Sequence, residues 1–151
     1  MQAIGQSAER QSFIDFVVAG RRYAIRVQEL QDIIRQEEII RIPNAGAHVE
    51  GLIVYLGRIV PVLNLRGLFR LQGGECGRTG KIMVVRRLEQ TAGLIVDDVK
   101  RVIAFPEIQP PPDSMRDVEG RYFSGVGLAA GEAVGLLKLD EVLASERERI
   151  G

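Results

Sequence analysis

Apolar positions in this chain gather in short runs broken by glycine, proline and charge, and almost none of the runs carries a helical period. Phe13–Val18 and Tyr23–Val27 flank Ala19-Gly20-Arg21-Arg22, which predicts a hairpin with a glycine turn. Gln28–Asp32, polar with Leu30 interposed, predicts one helical turn, and Ile33–Ile42 a strand, a loop and a strand end. Pro43-Asn44-Ala45-Gly46 breaks the pattern, and Ala47–Glu50 predicts a brief turn. Gly51–Arg66 then holds two runs rich in β-branched residues, Gly51–Leu56 and Ile59–Leu63, joined across Gly57-Arg58. This is a second hairpin, in which Gly57 supplies the positive φ of a tight turn. Pro61 cannot donate to a ladder, so its strand is expected at an edge or a bulge. An apolar strand left partly unpaired is a place where another protein can add itself.

After Arg66 the chain passes through Gly67–Leu71 into a glycine-rich loop over 72–80, expected to be a linker, and then starts over. Lys81–Leu88 and Thr91–Val96 predict a hairpin around Glu89-Gln90, Asp97-Asp98-Val99 a short turn and Lys100–Phe105 a strand. Pro106–Val118, with three consecutive prolines, predicts an exposed connection. Tyr122–Ala129 and Glu132–Lys138 predict the last hairpin, turning at Gly131, and Asp140 is placed to cap a C-terminal helix with Val142 and Leu143 inward. The recurrence is regular. Phe13, Ile25, Val27, Leu30, Ile33 and Ile34 match Ile82, Leu94, Val96, Val99, Val102 and Ile103 at a constant offset of 69. Gly51, Gly57, Leu63, Leu65 and Phe69 match Gly125, Gly131, Leu137, Leu139 and Leu143 at an offset of 74. Each half is hairpin, turn, strand, hairpin, and such short, twisted strands close into a small barrel. The pattern predicts two similar barrels packed together.

Composition narrows the function more than the fold. Lys+Arg and Asp+Glu both number 20, for zero formal charge, so nothing draws the chain to nucleic acid or to an anionic membrane. With 151 residues, it buries roughly 70% of its extended surface and needs no staple. The single Cys76 fits a reducing compartment, and Met1–Ser12 has no apolar leader, so a cytoplasmic protein is expected, with flexible ends at 1–12 and 149–151. His48, the only histidine, is expected to face solvent, and no nucleophile–base arrangement or phosphate loop is visible. Asp97-Asp98 has no further ligand at metal spacing, so neither a metal nor a cofactor is expected. Arg86-Arg87 and Lys100-Arg101 are read as solvated strand ends.

Several motifs, in order and spacing, resemble a known family. They are Tyr23-Ala-Ile25 followed by Leu30-Gln-Asp32, Arg41-Ile-Pro-Asn44, the hairpin ending in Pro61-Val-Leu-Asn-Leu-Arg66, Gly93-Leu-Ile-Val-Asp97, and Tyr122-Phe-Ser-Gly-Val-Gly127. Together they resemble the CheW-like coupling proteins of bacterial chemosensory arrays, from Phe13 to Leu143. The resemblance implies a mainly β fold: two intertwined five-stranded SH3-like barrels with short helical turns and a C-terminal helix. It implies a single domain over 13–143, with repeats at about 13–71 and 81–143. It also implies a non-catalytic adaptor that joins the regulatory domain of a CheA-like histidine kinase to the cytoplasmic tip of a chemoreceptor, with CheW-like paralogues as further partners in membrane-associated arrays.

Carried over by position, the kinase interface comprises Val54, Leu56, Gly57, Arg58 and Pro61, and the receptor groove Leu30, Asp32 and Ile39. Gly51, Arg66, Asp97, Gly125 and Gly131 take structural roles, Arg66 as a salt bridge or cap. One departure is marked: where the family has Asn-Leu-Arg-Gly at the first hairpin turn, this chain has Val54-Tyr55-Leu56-Gly57. Leucine in place of arginine removes hydrogen-bond donors and adds apolar surface, which implies a partner of altered composition. Three other readings stand beside the adaptor: a stand-alone regulatory barrel pair of a histidine kinase, a nucleic-acid-binding barrel and an enzyme. The second needs a basic groove with stacking aromatics, and the third a catalytic constellation.

Overall fold

Three tight turns frame the computed structural model, which describes residues 11–42, 48–71, 80–112 and 120–148. Ala19-Gly20, Leu56-Gly57 and Ala130-Gly131 each put two consecutive residues at positive φ, 54° and 77°, 50° and 79°, and 52° and 80°. Two such residues form the turn whose twist matches a right-handed hairpin, and the glycine at the second position adopts it without a Cβ penalty. The turns join β1 (Phe13–Val18) to β2 (Arg21–Arg26), β5 (Val49–Tyr55) to β6 (Arg58–Asn64), and β11 (Phe123–Ala129) to β12 (Glu132–Leu137). A fourth hairpin, β7 (Lys81–Arg87) and β8 (Gln90–Val96), turns at Leu88-Glu89, with Leu88 at φ 57°. Single strands β3 (Leu30–Arg35), β4 (Ile40–Arg41), β9 (Asp98–Ile103) and β10 (Glu107–Gln109) complete the sheets.

The sheets do not follow the repeats. One is ordered β10-β11-β12-β2-β1-β9, the other β3-β7-β8-β6-β5-β4. Each sheet thus takes a hairpin from the other half of the chain, β1–β2 in the first barrel and β7–β8 in the second. Two parallel junctions seat these guests: Gly135 and Leu136 of β12 beside Tyr23 and Ala24 of β2, and Val62–Asn64 of β6 beside Gly93–Ile95 of β8. The guest hairpins are apolar on both faces because both faces are covered. Ile82 and Val84 enter the core of the second barrel while Met83 and Val85, between them, enter a central core, and all four are fully buried. That central core is the largest, with Phe16, Tyr23 and Ile25 from one sheet and Leu63, Met83 and Leu94 from the other. Helices α1 (Leu65–Leu68) and α2 (Leu139–Glu148) close it with Leu65, Phe69, Leu139, Val142 and Leu143.

Polar contacts stitch the two seams. Asp97 accepts from Arg66 at 2.9 Å and from the Ala19 amide at 2.9 Å, tying α1 and the β1–β2 turn to the start of β9. On the other seam Arg87, at the end of β7, donates to Asp140 of α2 at 2.6 Å. Asp15, 1% exposed, accepts from Arg22 and from the Arg101 amide.

Several local expectations change. The helical turn expected over Gln28–Asp32 is a 3-10 turn at Val27–Glu29, and Leu30 already begins β3. Glu29 sets that boundary by accepting the Arg26 amide at 3.2 Å. Val49 and Glu50 are strand, not turn. Pro61 lies in a central strand rather than at an edge; the ladder to β8 begins just beyond it at Val62, where amide donors resume. The proline-rich connection carries the edge strand β10, and Asp140 lies in the first turn of α2 instead of capping it. Arg87 is ion-paired, and the His48 Nε2 lies 3.3 Å from the Ser145 carbonyl, half-buried against α2. The α1 helix, unforeseen, is capped by the Asn64 side chain accepting from the Arg66 amide at 2.9 Å. Of the linker expected over 72–80, residues 72–79, with Cys76, lie outside the described residues.

Gly51 and Gly125 stand at equivalent places in the two halves, and the same constraint explains both. A Cβ on Gly51 would run into the Ile40 carbonyl and lie 3.0 Å from the Arg41 Cα, and one on Gly125 would lie 2.8 Å from the Gln109 carbonyl oxygen. Each glycine lets a short edge strand, β4 or β10, approach its hairpin. Gly51→Ala and Gly125→Ala should each lower unfolding free energy by about 1–3 kcal/mol in denaturant titration. Unchanged midpoints would show that β4 and β10 are not held this way.

Candidate interaction surface

The β5–β6 hairpin has one face in a core and one face out. Ile53, Val60 and Val62 are at most 3% exposed, packed with Ile82, Val84 and Ile95 in the second barrel. On the opposite face Val54 lies across from Ile59, and Leu52 across from Pro61, with Ile40 of β4 beside Leu52. This strip leaves the central core at Leu63, passes the half-buried Pro61, and opens to solvent, with Ile59 70% and Val54 60% exposed. Leu56, at the tip, is 84% exposed and sits at φ 50°.

The fold does not require a leucine there. The equivalent residue of the other half, at the same offset of 74, is Ala130, with nearly the same φ, and the turn of β1–β2 uses Ala19. A left-handed conformation costs an ordinary L-residue roughly 1–2 kcal/mol, and a solvated leucine returns nothing for it. Likewise Ile59 stands where the other half has Ala133. Large apolar side chains thus gather on one exposed strip next to a strained turn, the kind of patch that soluble proteins seldom leave exposed.

The residues assigned by position divide between places. Val54, Leu56, Gly57 and Arg58 are exposed together on this hairpin, with Pro61 half-buried at the base of its strip. Asp32 and Ile39 join them from the side. Asp32 is exposed on β3, its Oδ1 accepting the Ile33 amide at 2.8 Å, and Tyr55 and Ile39 both pack on the core of the second barrel. Leu30 lies apart, half-buried against the central core. Arg66 and Asp97 pair with each other at the seam, Gly51 and Gly125 admit the edge strands, and Gly131 makes its turn. Ile59, Ile40 and Tyr55 were not singled out from the sequence. Ile59 could have been, because a two-residue turn at Leu56-Gly57 puts it opposite Val54.

Electrostatics around the surface are mild. Burial, then the Asp32 charge, pushes the Tyr55 hydroxyl above its ordinary value. Burial holds the Glu29 carboxyl above its ordinary value, against the Arg26 amide and the Arg26 and Arg87 charges. Lys100, hydrogen-bonded to Asp98, holds that carboxyl low. Among the described residues no three histidine, cysteine or acidic side chains converge as metal ligands, and no helix is long and apolar enough to cross a membrane.

Two interlocked barrels with an exposed apolar hairpin define a module for protein–protein contact. The family profile of the CheW-like domain matches residues 12–147, and the chain belongs to that family, a non-catalytic scaffold family of chemotaxis signalling. It is 26% identical to the chemotaxis protein CheW of Klebsiella aerogenes over 90% of this chain and 83% of that protein. It is also 26% identical to the protein FrzA of Myxococcus xanthus, over 95% and 92% of the two chains. The crystal structure of the scaffolding protein TtCheW from Thermoanaerobacter tengcongensis superposes with a TM-score of 0.77 at 27% identity, covering 85% of this chain and 84% of that one. The paired-barrel fold expected from the sequence is thereby confirmed, each sheet gaining a short sixth strand, β4 or β10.

Leu56→Asn should raise unfolding free energy by about 0.5–1 kcal/mol, because asparagine tolerates the left-handed turn. A lower melting temperature for this variant would mean that Leu56 is packed in the free protein, against the surface described. Glu29 is linked to pH in the opposite sense from a salt-bridged acid. Its folded value lies above the ordinary carboxyl value, so its contribution is present below the unfolded value and is lost as pH rises through the folded one. Glu29→Gln, which keeps an acceptor for the Arg26 amide, should remove this part of the pH dependence. Parallel melting curves of the two proteins from acid to neutral pH would contradict it.

Proposed function

We propose that the protein is a cytoplasmic adaptor that couples a CheA-like histidine kinase to chemoreceptors in a chemotaxis or surface-motility pathway. The exposed strip of Val54, Leu56 and Ile59 carries the reading, since it is apolar, positioned by the core of its own barrel and left uncovered by the other barrel. The kinase's regulatory domain docks there, with Arg58 at the rim and Pro61 at the base. Receptor tips engage the neighbouring Asp32 and Ile39 together with Leu30 across the seam. Paralogues of the same fold extend the contacts into membrane-associated arrays, where individually modest interfaces gain from repetition. The similarity to a chemotaxis protein CheW and to FrzA supports such a role.

The leucine at the turn selects the partner. A carboxylate placed to receive an arginine would be desolvated against Leu56 without a mate, so the matching kinase presents an apolar socket there. Calorimetric titration with the regulatory domain of a histidine kinase from the same organism tests this. Leu56→Arg and the pair Val54→Ser with Ile59→Ser should each weaken binding about tenfold or more. Unchanged affinity in both would place the kinase elsewhere, and failure of a receptor-tip fragment to bind would favour a detached regulatory domain of the kinase.

A further inference from the structure

We infer that the seam beside α2 is a binding site for a small organic anion, a carboxylate or phosphate head group on a compact apolar body. A cavity of about 340 Å³ opens there, between the ends of β2 and β7 and the start of α2. Its apolar side is made by Phe13 and Leu136, which belong to the core of the first barrel, and by Leu137. Three cations line it as well: Arg26, the last residue of β2, Arg87, the last of β7, and Lys138, between β12 and α2. Ligand pockets begin at about this size, with an apolar lining and a few convergent polar groups.

The duplicated plan shows that packing does not ask for these arginines. At the offset of 69, Arg26 corresponds to Ile95 and Arg87 to Val18, both buried in apolar cores. Charge at these two places leaves a cavity where the other half packs side chains. Asp140 takes one of the cations, accepting from the Arg87 Nε at 2.6 Å. Arg26 and Lys138 enter none of the ion pairs found among the described residues. Glu29 faces the same space, 8% exposed, with its Oε1 accepting the Arg26 amide at 3.2 Å. Burial holds its carboxyl above the ordinary value, which weakens its opposition to an anion. The head group sits between Arg26 and Lys138, and the body lies on Phe13 and Leu136. Occupancy therefore clamps the guest hairpin β1–β2 to its host at the corner of β12 and α2.

The test titrates the labelled full chain with phenyl phosphate and with phenylacetate, read by amide chemical shifts. At least one probe should saturate in the millimolar range or below, shift Phe13, Arg26, Glu29, Arg87 and Lys138–Asp140, and raise the melting temperature. Arg26→Met and Lys138→Met, both at exposed positions, should each weaken that probe about tenfold. Glu29→Gln, which removes the opposing charge and keeps an acceptor, should tighten it about threefold. Arg21→Met, an exposed arginine outside the cavity, should change nothing. Inorganic phosphate and benzyl alcohol each carry half of the ligand's chemistry and should bind at least about tenfold more weakly. Failure of both probes to saturate, equal binding of inorganic phosphate, or affinity indifferent to both Arg26→Met and Lys138→Met would overturn the proposal.

Discussion

Everything in this molecule leans on one shared apolar core between two sheets that have traded hairpins. Phe16, Ile25, Leu63, Met83 and Leu94 fill it from both sides, and the parallel junctions β2–β12 and β6–β8 bind each guest hairpin into its host. Close packing at the junctions is severe. A Cβ on Gly93 would lie 2.7 Å from a methyl of Ile82, and one on Gly135 would lie 2.9 Å from the Phe123 ring. Neither barrel can shift without opening the other, so two surfaces on different strands keep a fixed relation. An adaptor needs that property more than it needs any reactive group.

The β5–β6 and β11–β12 hairpins hold equivalent places in the two sheets. The core-facing side of β5–β6 is as tightly buried as its counterpart in β11–β12, where Val134 and Leu136 are buried. The outward side differs, with Val54, Leu56 and Ile59 where the other half has Leu128, Ala130 and Ala133, and the core-facing side of β5 differs too, with Ile53 and Tyr55 where the other half has Gly127 and Ala129. The seams show a similar divergence under a common plan. Arg66 opens α1 and meets Asp97, whereas Asp140, its counterpart at an offset of 74, opens α2 and meets Arg87. Opposite polarity at equivalent positions gives each guest hairpin a preferred seam.

How much was legible in the sequence follows from how local each determinant is. Glycine turns and alternating strands are local, and they announced the hairpins. The exchange of hairpins is not local: β2 meets β12 more than a hundred residues away, with no composition to mark the pairing. β4 is two residues long and carries no period, so neither it nor Ile40 could be placed. Pro61 suggested an edge strand because a missing donor usually does; the ladder to β8 begins one residue later. Tyr55 looked like part of the apolar run, and only folding brings Ile39 beside it on the core of the second barrel.

The central claim is that a rigid paired barrel presents the outer face of β5–β6 as its kinase-docking surface. Nuclear magnetic resonance of the labelled chain, titrated with the unlabelled regulatory domain of its kinase, tests it most directly. The account predicts that the perturbed amides cluster on Leu52, Val54–Ile59 and Ile40, with the guest hairpins unmoved. Perturbations centred on β9, β10 or the outer side of α2, leaving the Leu56 turn untouched, would contradict it.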